Sequence, residues 1–158
     1  MTSNTTRLKK QKSAAPLRKK GLPQSPIDLL NQWCRDLKNW PDSWAGSDRD
    51  IQIGASLVEE FKLLLLDRIQ KGRARATIKI YAGYLWALGG ELIRKINDHE
   101  SERRLSARQL ILNYVSEDGG PHWRHARDDL DHRRYDSVCR QLFKQIATKT
   151  QVDPQILL

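Results

Sequence analysis

Only two cysteines occur among the 158 residues, Cys34 and Cys139, far apart in the chain. Both lie within helical patterns of apolar residues, which argues against a disulfide framework and predicts buried small hydrophobes in a reducing, cytoplasmic setting. No run nears the roughly 18 apolar residues that a membrane span requires, so no membrane partner is expected. The N-terminus lacks an apolar segment of the secretory kind. Its basic, Ser/Thr-containing, acid-free composition also resembles an organellar transit peptide, although no amphipathic repeat accompanies it. GxSxG, P-loop and Rossmann fingerprints are all missing, and "LGGE" has the wrong spacing for any of them. Alternating β patterns and internal repeats are missing too. Neither enzymatic activity nor a cofactor is therefore expected.

What the chain does have is positive charge, distributed unevenly. The formal net charge is +9. Residues 1–20 hold Arg7, Lys9, Lys10, Lys12, Arg18, Lys19 and Lys20 without a single acid, which leaves 21 basic and 19 acidic side chains for the rest. A nearly neutral body thus carries a basic arm. Such an arm attracts polyanions through counterion release, or serves as a solubilising tail. With Pro16, Gly21 and Pro23 among polar residues, 1–24 offer too little apolar surface to repay ordering and are expected to be a disordered tail.

Helical signals fill the remainder. Ser25 as N-cap, Pro26 at the first position and Asp28 in the first turn open a helix with the stripe Ile27, Leu30, Cys34 and Leu37. Trp33 and Trp40 flank that stripe and Pro41 is expected to stop it. "PDSWAGSDRD" reads as a turn-rich connection, with Trp44 folding back onto the core. A second helix is expected over Ala55–Gln70, with Gly72 as its C′ residue. The third starts near Ala76, where Ile78, Tyr81, Leu85, Leu88, Leu92 and Ile96 give the clearest periodicity. Ile80, Tyr84 and Trp86 add apolar surface on other faces, which predicts a helix enclosed by its neighbours. Gly83, Ala87 and Gly90 form a small-residue stripe, and Gly89-Gly90 predicts a kink or a tight crossing. Ser106 and Gln109 spell a capping box for the fourth helix, with Leu105 placed to staple onto Leu110, and "EDGGP" terminates it. A fifth is expected within 128–148, or from Asp136. The fold class is all-α: a compact bundle of about five helices over 25–150, between the basic tail and a C-terminal tail at 151–158.

Three clusters could carry chemistry. His122, His125, His132 and Cys139 have spacings that a zinc site can use, but no CxxC completes them and the surroundings are rich in arginine, so solvated histidines are expected. "RDDLDHRR" sets Asp128, Asp129 and Asp131 among Arg127, Arg133 and Arg134, the pattern of an exposed face with weak ion pairs. The third cluster is basic. Arg68, Lys71, Arg73, Arg75 and Lys79 lie within twelve residues, with Thr77 among them, at the turn into the third helix. A helix start adds backbone N–H groups and partial positive charge, so phosphate is a fitting ligand. The alternative is a solvated cap balanced by Glu59, Glu60 and Asp67.

From about Leu57 to Ile96, "VEEFKLLLLDRIQKGRARATIKIYAGYLWALGGEL" resembles the N-terminal core-binding (SAM-like) domain of tyrosine recombinases and phage integrases. Those domains carry an apolar helix, a short turn and a Thr-x-x-x-Tyr helix, and here Thr77 and Tyr81 stand in the Thr and Tyr places. The family's helical domain clamps duplex DNA, which the resemblance implies for Arg73, Arg75, Thr77 and Lys79. The catalytic part of a recombinase is not matched: the stretch after Ile96 is too short, and "HWRHARDDLDHRRYD" has the residue types without the His-x-x-Arg spacing. A non-catalytic nucleic-acid-binding protein is expected, with duplex DNA as ligand, in a bacterial or mobile-element setting. The rival expectation is a protein-interaction module, an adaptor, an antitoxin-like partner or a homodimer, using its five tryptophans.

Overall fold

The computed structural model describes residues 24–152, with side chains up to Lys149. The basic arm lies outside the described residues except for Gln24, and so do residues 153–158 of the expected C-terminal tail. The described residues form an all-α bundle of six helices: α1 (Pro26–Trp33), α2 (Trp40–Trp44), α3 (Arg49–Gln70), α4 (Arg75–Asp98), α5 (Ala107–Tyr114) and α6 (Asp129–Val152). Two 3₁₀ segments, Arg35–Asn39 and Glu100–Arg104, join them. Strand pairing among these residues is limited to an isolated bridge between Ser116 and Gly119. No described helix is long and apolar enough to cross a membrane.

The long helices α3 and α4 pack together at the centre. Leu57, Phe61, Leu64 and Leu65 of α3 and Ile78, Leu85, Leu88, Leu92 and Ile96 of α4 are fully buried. The periodicity of α4 thus reports its core face correctly, although Tyr81 is only half-buried. The expected enclosure on all sides is corrected: Ile80 and Trp86 are 58% and 45% exposed.

The N-terminal third departs most from expectation. Ser25 Oγ accepts the Asp28 N–H at 3.2 Å as an N-cap should, but the helix ends at Trp33 instead of running to Pro41. Cys34 leaves helical geometry, and the chain tightens into the 3₁₀ segment before α2. Leu30, Cys34, Leu37 and Trp40 are buried nonetheless, because their 4-3-3 spacing suits either turn. Pro41 lies in the first turn of α2, where its missing N–H has no intrahelical partner to lose. The connection expected after it is largely helical, since α3 starts at Arg49 rather than Ala55. Gly54 sits where Pro41 packs against α3.

Trp44 does fold back. Its indole N–H donates to the Trp86 carbonyl at 2.9 Å, and its ring lies on Gly89, where an added methyl would overlap it. The tight crossing expected at Gly89-Gly90 is therefore with a tryptophan ring. The capping box of α5 is complete: Ser106 Oγ accepts from Gln109 N at 3.1 Å, and Gln109 Oε1 from Ser106 N at 3.0 Å. Asp128 caps α6 by accepting the Asp131 N–H at 2.8 Å, and the helix runs to Val152, two residues into the expected tail.

Both cysteines are buried and unpaired. Burial first, then Asp36, raises the Cys34 pKa against the opposing pull of Lys79, and burial with Asp136 raises that of Cys139. Thiols held protonated in this way are inert packing groups.

Candidate nucleic-acid interface

The turn between α3 and α4 is built by a glycine. Gly72 has φ +88°, its N–H donates to the Ile69 carbonyl at 2.9 Å, and Arg73 N–H donates to the Arg68 carbonyl at 3.0 Å. These are the two bonds of a Schellman ending, which needs a left-handed residue at C′. Gly72→Ala is expected to lower stability by about 1 kcal/mol in urea denaturation. An added methyl meets nothing within 4 Å, so the cost is backbone strain alone.

Helix α4 then begins without a side-chain cap. Ala74 stands at the N-cap and the first turn holds no acid. The N–H groups of Arg75, Ala76 and Thr77 have no acceptor among the described residues; the first intrahelical bond is from Ile78 N–H to the Ala74 carbonyl. Four peptide dipoles and more align behind these donors, so the helix start is partially positive.

The expected cations divide here. Arg73, Arg75 and Lys79 are exposed, with neither an ion pair nor a side-chain hydrogen bond among the described residues. Lys71 is exposed but lies 3.2 Å from Asp67 Oδ2. Arg68 is turned inward. It pairs with Asp67, and its Nη2 and Nε donate to Gln141 Oε1 at 3.0 and 3.3 Å. Tyr81 O–H donates to the same oxygen at 3.0 Å, so Arg68 and Tyr81 lock α3 and α4 onto α6. Thr77 is half-buried. Of the acids expected to balance the cluster, Asp67 does so for Arg68 and Lys71, while Glu59 pairs with Lys62 and Glu60 with Arg108.

Beside the turn a groove of about 790 Å³ runs between the start of α4 and the α1–α2 segment. Trp33, Trp40 and Trp86 wall it, and Ala82 and Gly83 form its floor. Arg75 and Lys79 enter it from α4 and Arg35 from the opposite side. Asp36, the one acid lining it, accepts the Trp40 indole N–H at 3.0 Å. The readings of single motifs missed Arg35, Trp33 and Trp86 as companions of the basic turn. A signal was present, because Arg75, Lys79, Gly83 and Trp86 recur at 4-4-3 and so share one face of α4.

In the other two clusters, His132 and Asp131 are bonded within the fold. His132 Nε2 accepts the Trp123 N–H at 3.1 Å, which puts its proton on Nδ1, 3.1 Å from Asp136 Oδ2. His122 stacks on His132 with ring centroids 5.2 Å apart. No three His, Cys, Asp or Glu side chains converge as metal ligands among the described residues. The exposed acidic face expected for "RDDLDHRR" is corrected at Asp131, which is buried. It accepts Tyr84 O–H at 2.8 Å and Arg127 N–H at 3.1 Å, and the Arg127 bond and then Tyr84 hold its pKa below the usual range despite burial.

No protein-family model matches the chain, and neither does any curated protein or solved structure.

Proposed function

We propose that the protein binds duplex DNA without catalysis, through the turn between α3 and α4. One observation carries this reading: Arg73, Arg75 and Lys79 stand exposed and unpaired among the described residues, around an uncapped helix start. Asp67 pairs with Arg68 and Lys71, and Glu59 and Glu60 with Lys62 and Arg108, so the charge of Arg73, Arg75 and Lys79 is left for an external anion. Phosphate oxygens fit, because guanidinium and ammonium groups neutralise them while backbone N–H groups fix their position. Lys71 adds charge at the edge, and the basic arm adds affinity without sequence preference. The resemblance of residues 57–96 to recombinase core-binding domains favours duplex DNA and a mobile-element or recombination setting in bacteria.

Duplex affinity measured at about 50 and 200 mM salt tests the site. Changing Arg73, Arg75 and Lys79 together to alanine is expected to weaken binding about tenfold or more. The slope of log affinity against log salt should flatten by about 0.9 per lost contact, nearly three units for the three. Removing residues 1–24 weakens binding further. Wild-type affinity in the triple variant, or no binding at low salt, overturns the assignment.

The exposure of Ile80 and Trp86 on the same helix favours one second reading, a helical protein-interaction module. Its signature is a complex that persists in high salt and is lost on changing Trp86 rather than Arg73.

A further inference from the structure

We infer that the groove beside the basic turn is a pocket for an unpaired nucleobase, so that the protein prefers DNA ends or gaps bearing single-stranded nucleotides over unbroken duplex. This inference rests on the DNA-binding reading above and extends it from phosphate contact to base contact.

The groove combines two chemistries, aromatic and cationic. Trp33 and Trp86 present aromatic surface over the buried Trp40, and Arg35, Arg75 and Lys79 present cations against the single carboxylate of Asp36. That carboxylate already holds the Trp40 indole. A net positive groove with tryptophan walls matches a nucleotide, whose base stacks on indole and whose phosphate takes the cations. At about 790 Å³ it lies within the range of small-molecule sites, about 300–1,000 Å³. Trp86 is 45% exposed, yet its indole N–H is fixed on Ser43 Oγ at 2.9 Å, so a stacking surface is held ready rather than free to rotate.

The floor supports the same occupant. A Cβ added at Gly83 would meet nothing within 4 Å, so no element of the described fold fills the space over it. A flat ring can approach the backbone there. Continuity settles which strand is involved: Arg75 and Lys79 belong both to the groove and to the phosphate-binding turn. A strand whose phosphates lie on the turn thus has its next base at the mouth of the groove, and entry requires that base to be unpaired. The chain's own N-terminal arm is a poor occupant, since residues 1–20 carry seven cations and no acid. An acidic peptide matches the charge but offers few flat faces to the Trp33 and Trp86 indoles.

The test uses the full chain and two labelled probes in fluorescence anisotropy: a blunt duplex, and the same duplex with a short single-stranded overhang. The overhang probe is expected to bind about tenfold tighter, the effect of one stacked base. Gly83→Leu, which fills the groove, and Trp86→Ala, which removes a wall, are each expected to collapse that ratio to about one. Since the added Cβ meets nothing within 4 Å and leucine is the better helix former, the melting temperature should not fall below the parent's, which separates a blocked groove from a damaged fold. Equal binding of both probes by the parent chain overturns the inference, and so does an overhang preference that survives Gly83→Leu. Blunt-duplex binding that responds to Arg73→Ala while the overhang gives no gain sinks the groove alone and leaves the DNA-binding reading standing. Failure of both probes sinks both. A glutamate-rich aromatic peptide that binds the parent but not Gly83→Leu, with the two DNA probes equal, assigns the groove to protein instead.

Discussion

Replacing Arg103 by methionine is expected to lower the unfolding free energy by about 3 kcal/mol, the cost of stranding one partner of a buried ion pair. Asp50, in the first turn of α3, is fully buried. Its Oδ1 accepts from Arg103 Nη1 at 2.9 Å, while Oδ2 accepts Gly46 N–H at 2.8 Å and Asn97 Nδ2 at 3.3 Å. One carboxylate therefore ties the loop before α3, the end of α4 and the 3₁₀ segment after it. Arg103 is further bonded to Asn97 and to Glu100, whose carboxylate also takes Arg49 at 2.7 Å. Methionine keeps much of the arginine stem's packing, so the loss isolates the charge.

The pH dependence has a definite sign. Burial alone would raise the Asp50 pKa, but the Gly46 N–H and then Arg103 and Asn97 outweigh it and hold it below the ordinary value. A depressed folded pKa gives stability that is complete above the unfolded value, about 3.9, and is lost as pH falls through the lower folded value. The gap between parent and Arg103→Met should therefore be widest near neutrality and narrow as Asp50 protonates. Adding Asp50→Asn to the variant should recover part of the loss at pH 7, because the uncompensated charge is gone. Urea denaturation across pH checks all three statements. A loss under about 1 kcal/mol at neutrality, or a gap that widens in acid, contradicts the role given to the pair.

Gly89→Ala is expected to destabilise by about 2 kcal/mol through overpacking, although alanine is the better helix former by roughly 1 kcal/mol. The three atoms nearest the added methyl all belong to the Trp44 ring, whose indole is held by the Trp86 carbonyl and cannot easily withdraw. Trp44→Ala alone should cost about 3 kcal/mol by emptying that space. In the Trp44→Ala background, Gly89→Ala should change sign and stabilise by up to about 1 kcal/mol, since only helix propensity remains. Thermal and urea unfolding of the four proteins form a double-mutant cycle. Additive effects would show that the glycine serves something other than the tryptophan ring.

These two positions differ in how far they could be read from the chain. Gly89-Gly90 inside a strong helical period is itself anomalous, so a close crossing was legible, and only the partner was not. Asp50 was not legible at all. It lies in "GSDRD", whose residues carry turn signals, and its burial depends on Arg103, more than fifty residues away. Asp131 was misread for the same reason, because the Tyr84 hydroxyl that donates to its carboxylate comes from α4. The basic turn was legible as a cluster, but its division was not: Arg68 is withdrawn by Gln141 on α6, whereas Arg73, Arg75 and Lys79 meet no such partner among the described residues.

Local physics was enough for the all-α class, the core face of α4, the α5 capping box and the Schellman turn at Gly72. Each rests on residues within about one or two helical turns of one another, where periodicity, capping and φ preference act without knowledge of the rest. Tertiary structure alone decided the break of the first helix at Cys34, the buried Asp50–Arg103 pair and the groove that Arg35 and Trp33 complete opposite Lys79 and Trp86. Those depend on which segments meet across the bundle. Burial, charge pairing and open space are properties of that meeting, and no short window of sequence contains both sides of it.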